Sequence, residues 1–151
     1  MYDSYGNSVS REIHILYTDP VNLSKGQYKH FMEKEIFEQP EVISQVLGTY
    51  LNAFEETLSL PSLPQSTEIK RIVMIGCGTA FYSCLVAKYW FESLSSIPTQ
   101  AELASEFRYR SPVVSKDDLL IFVSQSGETA DTIGALRFAK KYTKNILAIV
   151  N

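Results

Sequence analysis

A mostly parallel β-sheet flanked by helices, preceded by a helical segment, is the α/β fold class that the sequence predicts. Three observations predict it. Short apolar runs at 71–75, 118–123 and 145–151 read as buried strands. Stretches with helical spacing, at 79–94 and 129–142, alternate with them, and that alternation implies parallel pairing with helices on both faces. The strands are continuously apolar, as strands covered on both faces are. With 151 residues, 45% of them hydrophobic, the chain can bury a real core.

Residues 1–27 are polar, with a possible strand at 12–17 and a turn at Asp19-Pro20. They carry too little apolar surface to fold alone and read as a linker or the tail of another domain. His30-Phe31-Met32-Glu33-Lys34-Glu35-Ile36-Phe37 predicts a helix stopped by Pro40. Val42, Val46, Leu47, Tyr50, Phe54 and Leu58 then recur at three- and four-residue spacing and predict a second helix. Residues 60–67, with two prolines, are a loop.

The strand at 71–75 runs into Gly76-Cys77-Gly78-Thr79, where Thr79 is suited to cap a helix reaching about residue 94. Leu85, Val86, Tyr89, Trp90 and Leu94 lie on that helix, so much of it is expected to be buried. Pro98 opens a short strand at 99–103, and residues 105–110 form a charged, aromatic turn or short helix before Pro112. The last strand has no helix after it, so the sheet is expected to be cut short.

The stretch Ser124-Gln125-Ser126-Gly127-Glu128-Thr129 stands between a strand and a helix. The first N–H groups of a helix have no internal partner, and its dipole is positive there, so such a turn can hold an anion. Ser124, Ser126 and Thr129 add hydroxyls, Gln125 adds an amide, and Gly127 lets backbone come close to a ligand. No Lys or Arg lies inside the turn. That suits a small phosphate ester held by many neutral donors. The plainer alternative is a capped turn, where the same residue types are common. Glu128 suits the helix dipole but would repel a phosphate that it faced.

Other constellations say less. Gly76-Cys77-Gly78 after a strand, with Glu102 downstream, matches part of a dinucleotide fingerprint, but Phe81 stands where the third glycine belongs. Cys77 and Cys84 lack a His–acid pair to activate them and read as packed thiols. His14 and His30 are isolated, and no metal site or cofactor is expected. Arg108 and Arg110 could reach an anion, but the plainer reading is a solvated charged turn. A net charge of −3 gives no reason to expect nucleic acid or an anionic membrane as partner. No apolar run reaches the ~18 residues of a membrane-spanning helix. Two cysteines and no signal-peptide pattern at the start point to a reducing cytoplasm.

Three motifs together resemble a known family. They are Gly76-Cys77-Gly78-Thr79, Ala104-Ser105-Glu106-Phe107-Arg108-Tyr109-Arg110, and Ser124 through Thr132 in the order SQSGETADT. With His30-Phe31-Met32-Glu33-Lys34-Glu35-Ile36, they resemble the sugar-isomerase (SIS) half of the glutamine–fructose-6-phosphate aminotransferases, over about residues 25–151. The resemblance implies a flavodoxin-like SIS fold and an enzyme that makes glucosamine 6-phosphate and glutamate from fructose 6-phosphate and glutamine, as a homodimer. By the same resemblance, Ser124, Gln125, Ser126 and Thr129 hold the sugar phosphate and Thr79 contacts the sugar. The backbone of Gly78, Ala80 and Gly127 supports them. The family often has Ser where this chain has Ala80.

Residues 1–27 are then expected to be the tail of a glutaminase-like domain, and 28–151 an SIS domain incomplete at its end. Tyr2 stands where the family's glutaminase half has its cysteine nucleophile. The family's acid–base residues lie downstream of the SQSGET turn and are not reached. The piece alone is therefore expected to be inactive, with glutamine handled by another domain. A non-enzymatic SIS module that senses a phosphosugar is the alternative from a different functional class.

Overall fold

The computed structural model describes residues 5–8, 24–52, 56–60 and 68–151. They fall into two compact units, 1–60 and 61–151. The possible strand at 12–17, His14 and most of the 60–67 loop lie outside the described residues.

The first unit is dominated by one helix, α1 (Phe31–Tyr50), followed by an antiparallel pair, β1 (Leu51–Asn52) and β2 (Thr57–Leu58). Pro40 lies inside α1, so the expected stop there is overturned. A proline inside a helix removes one donor and costs about 3 kcal/mol, which weakens a helix without always ending it. The turns on either side supply support. Lys34 pairs with Glu38 at 3.3 Å before the proline, and Gln45 donates to Glu41 at 3.3 Å after it. The second predicted helix also ends early. Val42, Val46, Leu47 and Tyr50 continue α1, whereas Leu58 pairs with Leu51 across the hairpin.

The second unit is a four-stranded, wholly parallel sheet made of β3 (Arg71–Gly76), β4 (Thr99–Leu103), β5 (Asp118–Ser124) and β6 (Ile146–Val150), in the order β4-β3-β5-β6. Helices α2 (Gly78–Ser95), α3 (Ala104–Tyr109) and α4 (Ala130–Ala139) connect them. The two-residue period of a strand sorts the core into two layers. Val73, Ile75, Leu120 and Phe122 pack with Phe107 of α3 and with Ala135 and Ala139 of α4. Ile72, Met74 and Ile121 pack with Cys84, Ala87 and Phe91 of α2. The central strands β3 and β5 are apolar along most of their length because both faces are covered, whereas the outer strands β4 and β6 are largely half-buried or exposed.

Two expectations about α2 fail. The helix begins at Gly78, with Cys77 at the N-cap, so Thr79 sits inside the first turn and does not cap it. Only Cys84 on this helix is buried, while Leu85, Val86, Tyr89, Trp90 and Leu94 are exposed. The helix is apolar nearly all round, so periodicity alone could not choose its sheet face. Cys84 and Ala87 took it together with Phe91.

At the amino edge of the sheet Asp118 is 3% exposed. It accepts from Arg71 Nε at 3.1 Å, from Arg71 Nη2 at 2.5 Å and from the Ser115 N–H at 2.7 Å. That hydrogen bonding to Asp118 pushes the Arg71 guanidinium further into its charged form. No helix among the described residues is long and apolar enough to cross a membrane.

Candidate functional site at the carboxyl edge

Strand order reverses at β3: the chain leaves it for β4 on one side and returns to β5 on the other. In open parallel sheets a crevice forms outside the carboxyl ends of the strands at such a point. The two hydroxyl-bearing turns both end there, one after β3 and one after β5.

The first turn is tight. A side chain on Gly76 would meet backbone atoms of α2, with Ala80 C at 3.0 Å and Phe81 N at 3.1 Å. This glycine gives the close helix–strand approach whose residue was missing from the dinucleotide pattern. That pattern loses its other support as well, because the Glu102 carboxylate is taken by an ion pair with Arg110. The Thr79 hydroxyl makes no hydrogen bond among the described residues.

The second turn is longer and is knitted by its own hydroxyls. Ser124, 7% exposed, accepts from the Gly127 N–H at 3.1 Å and lies 3.4 Å from the Thr129 hydroxyl. Ser126 Oγ accepts from the Glu128 N–H at 3.2 Å, which leaves its own proton to donate outward. Gly127 has φ +68°, in the left-handed region, and a Cβ there would come within 2.9 Å of Val150 Cγ1. Thr129 is the N-cap of α4 by position, but its side chain makes no cap bond. Among the described residues, the N–H groups at 129–132 find no protein acceptor, and neither do those of Thr79 and Ala80. Two helix N-termini therefore present open donors and positive dipole ends at one edge. The turns are joined where Thr132 Oγ1 meets Cys77 Sγ at 3.9 Å.

Between them lies a cleft of about 400 Å³ lined by Thr79, Ala80, Ser83, Val123, Ser124, Gln125, Ile149, Val150 and Asn151. Of the sequence-predicted residues, Thr79, Ala80, Ser124 and Gln125 line it. Ser126, Gly127 and Thr129 do not; Gly127 and Thr129 are held beside it by the bonds to Ser124. Gly78 opens α2. Ser83 and the end of β6 were missed. Ser83 stands one helical turn after Thr79, and that i, i+4 spacing was the available signal. Cys77 is half-buried and Cys84 fully so, and burial pushes the Cys84 thiol up, as suits a packing residue.

A family model for the SIS domain matches residues 67–151, more than half of the chain. The chain belongs to the SIS domain family. The match takes in β3 to β6 and both hydroxyl-bearing turns. Over its whole length the chain is 47% identical to the glutamine–fructose-6-phosphate aminotransferase (isomerizing) of Bartonella henselae and covers 25% of that protein. It is 48% identical to the same enzyme of Bradyrhizobium diazoefficiens, again over 100% of this chain and 25% of the relative. The chain thus spans about a quarter of the length of these curated relatives. In structure it is similar to the C-terminal domain of glucosamine-fructose-6-phosphate aminotransferase from Francisella tularensis. The TM-score is 0.74 at 40% identity, covering 85% of this chain and 36% of that one. The resemblance read from the SIS motifs is borne out by these matches.

Proposed function

We propose that this chain is the part of a glutamine–fructose-6-phosphate aminotransferase that holds the sugar phosphate. Ser124, Gln125, Ser126 and Thr129 ring the phosphate together with the open N–H groups of the α4 first turn. Thr79 meets the sugar, and the backbone of Gly78, Ala80 and Gly127 completes the cradle. One observation carries the reading: a hydroxyl-knitted turn sets unpaired helix donors at the strand-order reversal, with no basic side chain in the turn. Neutral, preorganised donors hold a phosphate dianion without a cation. The identity to the aminotransferases supports fructose 6-phosphate as the sugar. In this reading the acid–base chemistry and glutamine hydrolysis belong to other segments of a longer, cytoplasmic, homodimeric enzyme.

Titration calorimetry tests the reading. The chain should bind fructose 6-phosphate and show no comparable affinity for NAD; tight NAD binding with no phosphosugar binding would overturn it. A coupled assay should find no glutamate release from glutamine and no glucosamine 6-phosphate. Turnover by the purified chain that is lost in Ser126→Ala would contradict the assignment of chemistry to other segments.

A further inference from the structure

The α4 first turn carries a charge that works against the proposed ligand. Asp131 sits there, in the helical turn whose N–H groups face the phosphate in the reading above. A carboxylate at this place complements the helix dipole, and so it consumes part of the positive potential that an arriving anion would feel. Arg108 of α3 answers it. Its Nη1 lies 3.4 Å from Asp131 Oδ1, each side chain being 39% exposed.

The position of Arg108 is built into the packing. Its guanidinium lies flat against α4 at Gly134, where an added Cβ would meet Arg108 Nε at 2.7 Å, Cδ at 2.8 Å and Cζ at 2.9 Å. Only a residue without a side chain leaves that lane open. The two helices are fixed by the core beneath the pair, where Phe107 meets Phe138 edge-on with ring centroids 6.1 Å apart. Arg108 Cζ also lies over the Tyr109 ring, 5.0 Å from its centroid, a second contact that restrains the guanidinium. An exposed ion pair adds little stability by itself. The Gly134 lane and the Tyr109 stack are more than such a pair needs.

We propose that Arg108 is a positioning residue for phosphate binding: laid across Gly134, it neutralises Asp131 and keeps the α4 N-terminus attractive to a dianion. The inference rests on the function proposed above. It assigns Arg108 no contact with the ligand; the residue acts through Asp131.

The test is a set of variants of the full chain, titrated with fructose 6-phosphate and with inorganic phosphate, each with a melting curve in parallel. Arg108→Gln should weaken both ligands by about five- to tenfold, since it leaves a bare like charge close to the dianion. Asp131→Asn should bind at least as tightly as the natural chain. Arg108→Gln with Asp131→Asn should recover to within about twofold of Asp131→Asn alone, because the charge to be neutralised is gone. Gly134→Ala, which displaces the guanidinium without changing any charge, should weaken binding like Arg108→Gln and be rescued by the same Asp131→Asn change. A merely structural pair would give the opposite pattern: Asp131→Asn would weaken binding, or the double variant would stay as weak as Arg108→Gln, and either result overturns the proposal. Unchanged affinity in Arg108→Gln overturns it too. No binding of either ligand by the natural chain removes the function proposed above and this inference with it, whereas normal binding there with a failed rescue removes the inference alone.

Discussion

The two edges of the sheet treat their polar groups in opposite ways. At the amino edge they close on one another. Asp118 is almost fully buried and takes three hydrogen bonds from Arg71 and Ser115, while Thr143 and Asn145 bind back to the Lys116 carbonyl at 3.3 Å and 2.9 Å. At the carboxyl edge they stay open. The Ser124 and Ser126 hydroxyls shape the 124–129 turn as acceptors, and among the described residues the first N–H groups of the next helix find no acceptor. A closed polar cluster stabilises the fold and offers a ligand nothing. An open one adds little stability and is preorganised for a guest. The difference marks the amino edge as structural and supports the carboxyl edge as the place of the proposed phosphate site, although both are rich in polar residues.

The largest expected effect breaks the closed edge. Asp118→Ala leaves Arg71 without its buried partner and should cost about 3 kcal/mol, at the low end of the range for broken buried pairs because Arg71 is partly exposed. Thermal unfolding reads it. Affinity for fructose 6-phosphate, measured where the variant is still folded, should stay within about twofold, since the change lies at the far edge.

The open edge should behave in reverse. Ser126→Ala and Thr129→Ala each remove a donor to a charged ligand, worth roughly 1.5–3 kcal/mol, so affinity should fall by about one to two powers of ten. The melting temperature without ligand should hardly move. Thr129 decides between two roles, because loss of a working cap costs typically ~1 kcal/mol of stability. The absent cap bond in α4 predicts that Thr129→Ala spares stability and loses affinity. A fall in melting temperature with unchanged affinity would make it a cap.

The smallest effect touches stability and affinity together. Gly127→Ala forces a side chain into the left-handed region, at roughly 1–2 kcal/mol, and pushes on Val150 at the end of β6. It should lower stability modestly and affinity as well, because the turn's N–H groups shift together. A variant that loses stability alone would mean that the turn does not touch the ligand.

Much of this was legible in the chain. The runs at 71–75 and 118–123 gave β3 and β5 within one residue, because two-sided burial leaves a continuous apolar signature. The SQSGET turn was legible because a strand, small hydroxyl residues and a helix follow one another directly. What failed depended on tertiary choice. Pro40 was read as a stop from local chemistry, yet α1 runs through it. The sheet face of α2 could not be chosen by period in a helix apolar nearly all round, and Cys84, Ala87 and Phe91 took it. Ser83 and the end of β6 join the cleft only through the strand order, which no local pattern states.

Amide chemical shifts test the central claim most directly. In the isotope-labelled chain, fructose 6-phosphate should move the resonances of Ser126 to Thr132 and of Thr79 and Ala80, while fructose without the phosphate should leave them in place. Equal shifts with plain fructose, or shifts confined to the amino edge around Arg71 and Asp118, would show that the 124–129 turn is a capped turn and no phosphate cradle.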